Sequence, residues 1–165
     1  MSGTLFDRFV DEALKCVGAP YIWGGKGIFI FTLKGLVAHK FMHGDDLDVP
    51  IPVYDCSGLV THALYMASNG KMDFRGTHSA ATIWNSFPEL DSDNGPGSLL
   101  LYPGHVAVGL GRDIVVDANR GDQTTVSLLH AREQGASVQV HRTIRGAHTL
   151  KGYRRIPLDK SELRA

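Results

Sequence analysis

The chain has 165 residues, a length that suits one compact domain with a single hydrophobic core. Apolar residues make up 43% of the sequence and charged residues 21%, values that are typical of a soluble globular protein and argue against disorder or low-complexity structure. Seventeen basic side chains balance seventeen acidic ones, so the composition gives no electrostatic reason to expect nucleic acid as a partner.

The first part of the chain shows neither a membrane span nor an export signal. The longest uncharged apolar run near the start, residues 28–33, is much shorter than the roughly 20 residues that a membrane helix needs. A cleavable export signal has a basic opening followed by an apolar stretch, but Asp7, Arg8, Asp11 and Glu12 interrupt this region. We therefore predict no membrane span and no cleavable signal.

The spacing of apolar residues predicts helices over 4–17, 56–69 and 79–86. The first of these contains Cys16, which we interpret as a buried core cysteine, and two cysteines in all are too few for a disulfide framework. Residues 26–53 show no sustained period, so they are predicted to form an insert that is a long loop or a lid with short strands.

After Gly95, short apolar runs replace the helical spacing. They predict strands over 98–102, 105–110, 114–118, 138–142 and 153–156. Helices precede strands, so the predicted class is α+β, with N-terminal helices packed on one face of a C-terminal antiparallel sheet. No internal repeat or linker divides the sequence, which we therefore treat as a single domain over 1–165.

Cys56 is the candidate nucleophile. A cysteine attacks a carbonyl carbon as the thiolate, which is a minor species of an unperturbed thiol at neutral pH. Residues 50–55 are predicted to be extended, so Cys56 opens the second helix, where unpaired backbone N–H groups and the helix dipole favour an anion. The same amides are placed to hold a developing oxyanion.

His105 is the candidate base, because an imidazole near the sulfur can accept the thiol proton and return it to a leaving amine. If residues 111–113 form a three-residue turn, His105 pairs with Asn119 and Ala107 pairs with Asp117, which puts both polar side chains on the face of the histidine. Either Asp117 or Asn119 then orients the imidazole, as in other triads. A two-residue turn would reverse that facing.

Five segments together resemble the NlpC-type cysteine peptidases, which are papain-superfold hydrolases of bacterial cell-wall peptides. The segments are GAPYIWGG at 18–25, DCSGLV at 55–60, GSLLLY at 97–102, GHVAVGLG at 104–111 and GYRRI at 152–156. They follow the family order, and the combination is much more specific than the Asp-Cys-Ser-Gly motif alone. The resemblance implies a papain-like cysteine peptidase core and hydrolysis of a peptide substrate.

By this resemblance, Tyr21 helps to hold the oxyanion together with the backbone at Cys56, and Asp117 takes the third catalytic position. The family more often has histidine, asparagine or glutamine at that position, so Asn119 stays a rival to Asp117. The stretch over 26–54 is several-fold longer than the family's usual connection. We therefore expect this chain to differ in its choice of substrate.

Further residues are candidate substrate contacts. They are Trp23, Ser57, Arg75, Thr77 and Asn119. The sequence favours core packing over a substrate contact for Trp23, and core packing is an equal alternative for Tyr21. A solvated loop is the equal alternative for Arg75 and Thr77.

Histidine and acidic side chains are concentrated in the predicted insert, but their spacing matches no defined metal-ligand pattern. These residues are His39, His43, Asp45, Asp46 and Asp48. We therefore predict no metal and no other cofactor.

The sequence thus predicts a cysteine hydrolase that cleaves an amide bond in peptidoglycan stem or cross-bridge peptides through a thioester on Cys56. Two alternatives stay open. One is an acyltransferase that uses the same thioester, and the other is a non-catalytic wall-binding or phage-tail module, for which intact Cys56, His105 and Asp117 are unnecessary. The expected site of action is the bacterial cell wall. Delivery by a phage, injection as an effector and cytoplasmic recycling of wall fragments are all compatible with the sequence.

Overall fold

The structure is a computed structural model that describes residues 3–29, 51–92, 95–143 and 149–165. Its helices are α1 (Leu5–Lys15), α2 (Cys56–Ala67), α3 (Ala80–Ser86) and α4 (Leu128–Gln134), with a short 3-10 helix at Lys160–Glu162. Its strands are β1 (Lys26–Phe29), β2 (Pro52–Tyr54), β3 (Glu89–Leu90), β4 (Ser98–Tyr102), β5 (His105–Gly111), β6 (Ile114–Asn119), β7 (Ser137–Arg142) and β8 (Gly152–Arg155). Within these ranges, no helix is long and apolar enough to cross a membrane.

Helix α1 begins at a capping box formed by Thr4 and Asp7. The Thr4 hydroxyl accepts a hydrogen bond from the backbone N–H of Asp7 at 3.1 Å, and the Asp7 carboxylate accepts one from the N–H of Thr4 at 2.9 Å. These bonds satisfy amides that have no partner inside the helix. Phe9 and Ala13 form its buried face, and the helix packs against α2.

Helix α2 lies at the centre of the core. Leu59 and Leu64 have no exposed surface, and the helix contacts α1, α3, the small sheet and strands β5 and β6. Since it is buried on nearly all sides, it lacks the polar stripe of an amphipathic surface helix. The packing of the whole core therefore holds the first residue of this helix, Cys56, in place.

The strands form a six-stranded sheet and a two-stranded sheet. The large sheet has the order β3-β8-β4-β5-β6-β7, and every neighbouring pair is antiparallel. The small sheet pairs β1 with β2. Isolated bridges from Pro20 to Ser137 and from Tyr21 to Tyr54 tie the GAPYIWGG segment to β7 on one side and to β2 on the other.

The two faces of the large sheet have different surroundings. Val106 and Val108 of β5 pack with the helices in the main core, whereas Ala107 belongs to a small apolar cluster apart from it. Because side chains alternate along a strand, His105 shares the face of Ala107. Asp117 lies on that face too, in contact with His105.

The turn between β5 and β6 differs from the three-residue turn that the sequence predicts. Gly111 pairs with Ile114, so the turn has two central residues, Arg112 and Asp113. Their φ angles are 54° and 61°. Positive φ at both central positions is typical of a type I′ hairpin turn, whose twist matches that of the strands it joins.

A β-bulge next to this turn compensates for the difference. It lies between Gly109 and Gly111 and adds one residue to β5, so that Val108 still faces Val116. That is the register which a three-residue turn would give. The predicted facing of Asp117 is therefore correct, although the predicted turn was wrong.

The α+β class is confirmed, and the predicted helices and strands agree with the structure to within two residues at their ends. The prediction missed α4, which interrupts the strand-rich half of the chain. Its caps, Ser127 and Gly135, are visible in the sequence, but a helix of seven residues is too short for a periodic signal.

The short strands β1 and β2 lie at the two ends of the predicted insert. Residues 30–50, which include the histidine and acidic side chains considered as metal ligands, lie outside the described residues.

Gly58 lies where α2 meets the GAPYIWGG segment, and a Cβ atom there would lie 1.8 Å from the carbonyl oxygen of Gly25. We predict that Gly58→Ala lowers the free energy of unfolding by about 1 to 3 kcal/mol, because the added methyl group must push two backbone segments apart. Urea unfolding followed by circular dichroism measures this change. Met66→Ala, on the exposed side of the same helix, is the control and should change the free energy by less than about 0.5 kcal/mol. Equal losses in the two variants would contradict this explanation.

Candidate active site

A cleft of roughly 510 Å³ opens where the first residue of α2 faces strands β5 and β6. Six of the predicted site residues line it: Tyr21, Trp23, Cys56, His105, Asp117 and Asn119. Tyr102, His141 and residues 120–123 complete much of its wall. The structure therefore brings the predicted nucleophile, base and both candidate orienting residues to one concave surface.

Asp55 holds the start of α2 against the GAPYIWGG segment. Its carboxylate accepts hydrogen bonds from the backbone N–H of Gly58 at 2.6 Å and of Gly24 at 3.1 Å, and from the Lys26 ammonium at 2.8 Å. Asp55 is 8% exposed, so this charge is paired inside the protein. The network fixes the backbone on either side of Cys56, which is the first residue of the helix.

The ring of His105 lies between a carboxylate and a sulfur. Its Nε2 donates a hydrogen bond to Oδ2 of Asp117 at 2.7 Å. The ring is also hydrogen-bonded to Cys56, and Nδ1 is the nitrogen left for that contact because Nε2 faces Asp117. The Cys56 sulfur lies 3.8 Å from the carbonyl oxygen of Gly104. His105 thus connects Cys56 to Asp117.

Opposing effects act on the charge of the His105 ring. Burial lowers the pKa of His105, because a buried site disfavours the imidazolium. The hydrogen bonds to Asp117 and Cys56 and the negative charges of these two groups act in the opposite direction, and together they raise the pKa to about 10. At neutral pH the ring therefore carries both of its protons.

Asp117, rather than Asn119, is the residue in contact with His105. Asp117 is 3% exposed, and its Oδ2 faces the ring. Asn119 lies further along β6, where its Oδ1 accepts a hydrogen bond from the N–H of Arg120 and its Nδ2 lies 3.3 Å from Nε2 of His141. Of the two candidates, side-chain geometry therefore favours Asp117 as the residue that orients the ring.

His141 is a cleft residue that the sequence reasoning missed. Its Nε2 lies 2.6 Å from Oδ1 of Asp117, the carboxylate oxygen that His105 does not use. The sequence signal that could have found His141 is the alternation of side chains along β7. The predicted strand over 138–142 puts His141 and Gln139 on the same face. Strand alternation alone does not reveal which residue of the neighbouring strand a side chain meets.

Tyr21 lies beside Cys56 at the edge of the cleft. It is 4% exposed, and Gly121 allows its ring to pack closely, because a Cβ atom at that glycine would lie 2.0 Å from the ring. Burial raises the pKa of Tyr21, and the negative charges of Cys56, Asp55 and Asp122 raise it further. The Tyr21 hydroxyl therefore stays protonated and is able to donate a hydrogen bond.

Trp23 is partly exposed rather than a core residue. Its side chain keeps 42% of its surface in contact with solvent and lines the cleft. Its backbone N–H donates to the carbonyl of Thr125 at 2.8 Å, which fixes the position of the residue. This placement disagrees with the core packing that the sequence favoured, and the substrate contact of Trp23 stays a prediction.

The structure does not bring Ser57, Arg75 or Thr77 to the wall of the cleft. Ser57 is 4% exposed, and its hydroxyl is bonded to Asp55 and Lys26 on the inner side of the helix start. Neither Arg75 nor Thr77 is among the described residues that line the cleft.

The other bonds of Arg75 and Thr77 explain where these side chains point. Arg75 is paired with Asp73 at 2.8 Å and lies 3.5 Å from the centre of the Tyr65 ring. The Thr77 hydroxyl donates to the carbonyl of Phe74 at 3.1 Å. Both residues stabilise their own loop. Cys16 agrees with its prediction, since it is buried in the main core as a free thiol.

Within the described parts of the chain, no group of three or more histidine, cysteine, aspartate or glutamate side chains is arranged to hold a metal ion.

No protein-family model matches the chain. A curated relative, dipeptidyl-peptidase 6 of Lysinibacillus sphaericus, is 33% identical to it over 118 residues, which is 70% of this chain and 33% of that relative. The chain thus spans about a third of the length of the relative that it matches.

Solved structures are similar to this chain over nearly its whole length. RipD of Mycobacterium tuberculosis, described as a non-catalytic NlpC/p60 domain protein adapted to peptidoglycan binding, has a TM-score of 0.61 and 18% identity, with 94% of this chain and 100% of RipD covered. The peptidoglycan hydrolase RipB of the same organism has a TM-score of 0.58 and 22% identity, with 93% of this chain and 65% of RipB covered. At these identities the likeness concerns the fold.

We predict that Asp117→Asn lowers the pKa of His105 by about 1 to 3 units, because it removes the carboxylate that favours the charged ring. NMR titration of the His105 ring measures the change. In the unaltered chain the midpoint should lie near pH 10, well above the ordinary value of 6.5. The stability that this charged ring contributes is therefore complete below about pH 6.5 and is lost as the pH rises through about 10.

Asn119→Ala is the matched control on the same strand. It leaves the Asp117 carboxylate in place and should leave the midpoint of His105 within about 0.3 units of its original value. An Asp117→Asn variant whose His105 titrates as in the unaltered chain would show that the carboxylate has no influence on the ring.

Proposed function

We propose that this chain, which has the papain-like fold of the NlpC/p60 domains, is a cysteine hydrolase that cleaves an amide bond in peptidoglycan peptides through a thioester on Cys56. The observation that carries the proposal is the position of His105, whose ring is hydrogen-bonded to Cys56 on one side and to Asp117 on the other. A nucleophile, a base and an orienting group in this order are what acyl transfer by a thiol requires.

The resting pair supplies the nucleophile. At neutral pH the His105 ring is charged, so it donates its Nδ1 proton towards the sulfur, and we assign Cys56 the thiolate form in this pair. The N-terminus of α2 favours the same negative charge, because the helix dipole is positive at this end. The sulfur then attacks the carbonyl carbon of the substrate amide.

His105 transfers the protons of the reaction. When the tetrahedral intermediate collapses, the ring donates a proton to the leaving nitrogen, the carbon–nitrogen bond breaks, and the acyl group stays on Cys56 as a thioester. The neutral ring then takes a proton from water, whose oxygen attacks the thioester. A carboxylate is released, and the thiolate and charged ring are restored. Asp117 keeps the ring in the tautomer and orientation that both steps need.

Tyr21 and the start of α2 are the proposed oxyanion site. The protonated Tyr21 hydroxyl and the backbone N–H of Cys56 lie at the same end of the cleft. Donors that are already in place stabilise the negative oxygen of the tetrahedral intermediate without reorganisation, which is why such sites contribute strongly to catalysis.

The substrate class is supported by the fold neighbours. RipB is described as a peptidoglycan hydrolase and RipD as adapted to peptidoglycan binding, and the curated relative is named as a peptidase. We therefore propose a stem or cross-bridge peptide of the bacterial cell wall as substrate and the wall as the site of action. We further propose that residues 1–165 form a single domain of this kind, in which the insert over 26–53 changes the choice of substrate.

A non-catalytic peptidoglycan-binding module is the second candidate, and the likeness to RipD favours it. Both candidates predict binding to purified cell walls. Only the hydrolase predicts the release of peptide fragments and a free carboxylate in the product.

We predict that Cys56→Ala abolishes the release of peptides from purified sacculi and from synthetic stem peptides, because no other group replaces the attacking sulfur. Mass spectrometry of the soluble products measures the release. The thermal unfolding of the variant should be nearly unchanged. Cys16→Ala removes the other thiol, which is buried in the core away from the cleft, and should keep its cleavage activity.

Full release of peptides by the Cys56→Ala variant would rule out the thioester mechanism. Binding to sacculi without release by the unaltered chain would favour the non-catalytic module. Products that carry an added amine or alcohol in place of water would identify an acyltransferase.

We also predict that Tyr21→Phe lowers kcat by about 10- to 100-fold with little change in KM, because the hydroxyl is proposed to contact the oxyanion and not the ground-state substrate. The ring and its packing on Gly121 are preserved in this variant. Steady-state kinetics with a synthetic stem peptide provide the measurement. An unchanged kcat would remove Tyr21 from the proposed oxyanion site.

A further inference from the structure

Asp117 has two histidine partners. Its Oδ2 accepts a hydrogen bond from Nε2 of His105 at 2.7 Å, and its Oδ1 lies 2.6 Å from Nε2 of His141. The Asp117 side chain is 4% exposed, while those of His105 and His141 are 22% and 25% exposed. Both carboxylate oxygens of a buried residue are thus engaged by imidazole rings.

The strand register explains how His141 reaches this position. In the pairing of β6 with β7, Asp117 faces Gln139 and Val115 faces His141. His141 is therefore a diagonal neighbour of Asp117 on the same face of the sheet, within reach of a long side chain. The three side chains form a row across β5, β6 and β7, in the order His105, Asp117 and His141.

His141 has two contacts besides the one with Asp117: its Nδ1 meets the carbonyl oxygen of Arg142, and its Nε2 lies 3.3 Å from Nδ2 of Asn119. The contact with Arg142 places one of the ring protons. The Nδ1 atom of His141 lies 2.8 Å from the carbonyl oxygen of Arg142, which can only accept, so Nδ1 carries a hydrogen. The contact between Nε2 and Oδ1 of Asp117 is a hydrogen bond only if a second proton lies between those two atoms. When Nε2 carries that proton, the ring offsets negative charge on the carboxylate.

We propose that His141 is a positioning residue, which holds Oδ1 of Asp117 so that Oδ2 faces His105, and whose proton offsets part of the negative charge that Asp117 presents to His105. A carboxylate with a single imidazole partner would hold the proton of that imidazole more strongly. His141 therefore weakens the hold of Asp117 on the proton of His105.

The catalytic consequence rests on the proposed function. A general acid works best when it does not bind its proton much more strongly than the operating pH allows. Without the charge of His141, His105 would retain its proton more strongly and transfer it to the leaving amine less readily. The expected result is a decrease in kcat of about 3- to 10-fold at neutral pH, with KM nearly unchanged.

Other titratable groups also face this row. Cys56 of α2 and Tyr102 of β4 are next to His105, and Tyr21, Arg120 and Asp122 line the same cleft. Burial raises the pKa of Tyr102, and the negative charge of Asp117 raises it further, so this tyrosine is neutral at physiological pH. Cys56 also raises the pKa of His105, so the clearest measurement of the effect of His141 is one made without the thiol.

The test is an NMR titration of the His105 ring in the full chain carrying Cys56→Ala, with and without His141→Gln. Glutamine can still donate a hydrogen bond to Oδ1 of Asp117 but brings no charge. We expect His141→Gln to move the midpoint of His105 upward by about 0.5 to 1 pH unit. His78→Gln, in a loop away from the cleft, is the control and should leave the midpoint unchanged.

An unchanged or lower midpoint in the His141→Gln variant would overturn the proposal and leave His141 with a structural role. A second measurement needs no substitution at His141. In the unaltered chain at about pH 7, the nitrogen NMR spectrum should show that Nε2 of the His141 ring carries a proton. An Nε2 without a proton would also overturn the proposal. Neither measurement depends on activity. If the chain released no peptide at all, the proposed function would fail while the coupling of the two histidines would still be tested.

Discussion

The contact between the His105 ring and the Cys56 sulfur is the interaction on which the rest of the site depends. It joins the first residue of a buried helix to the first residue of a strand that lies 49 positions later in the chain. Neither element holds the contact by itself. The Asp55 carboxylate fixes the helix start by bonds to Gly58, Gly24 and Lys26, and the core packing of α2 prevents the helix from moving along its axis.

The register of β5 and β6 provides the other half of the site. A shift of one residue would turn Asp117 away from His105 and bring its apolar neighbour Val116 to the cleft, because successive side chains point to opposite faces. The type I′ turn would cause that shift by itself, and the bulge beside Gly111 prevents it. A local irregularity in the hairpin is therefore what allows the Asp117 carboxylate to act together with Cys56 in raising the pKa of His105 to about 10.

Much of the fold and the centre of the site could be predicted from the sequence. Apolar spacing predicts the principal helices and strands, and the ordered motifs point to Cys56 and His105. The choice between Asp117 and Asn119 depended on which side chain reaches the ring, and His141 meets Asp117 only through a diagonal contact between strands. Neither fact is encoded in local spacing. Ser57, Arg75 and Thr77 are not among the residues that line the cleft, because a motif gives a position in the chain without its burial or its local bonds.

The fold itself does not decide between catalysis and binding, since RipB is described as a hydrolase and RipD as non-catalytic. The decision depends on the state of the Cys56 sulfur. Alkylation of both cysteines with iodoacetamide at about pH 6, followed by mass spectrometry, tests it most directly, because only a thiolate reacts readily. Burial raises the pKa of the Cys16 thiol, so this residue serves as the slow internal reference. We predict that Cys56 reacts at least about 100-fold faster than Cys16 and that His105→Ala removes most of the difference. A Cys56 thiol that reacts no faster than Cys16 would contradict the account.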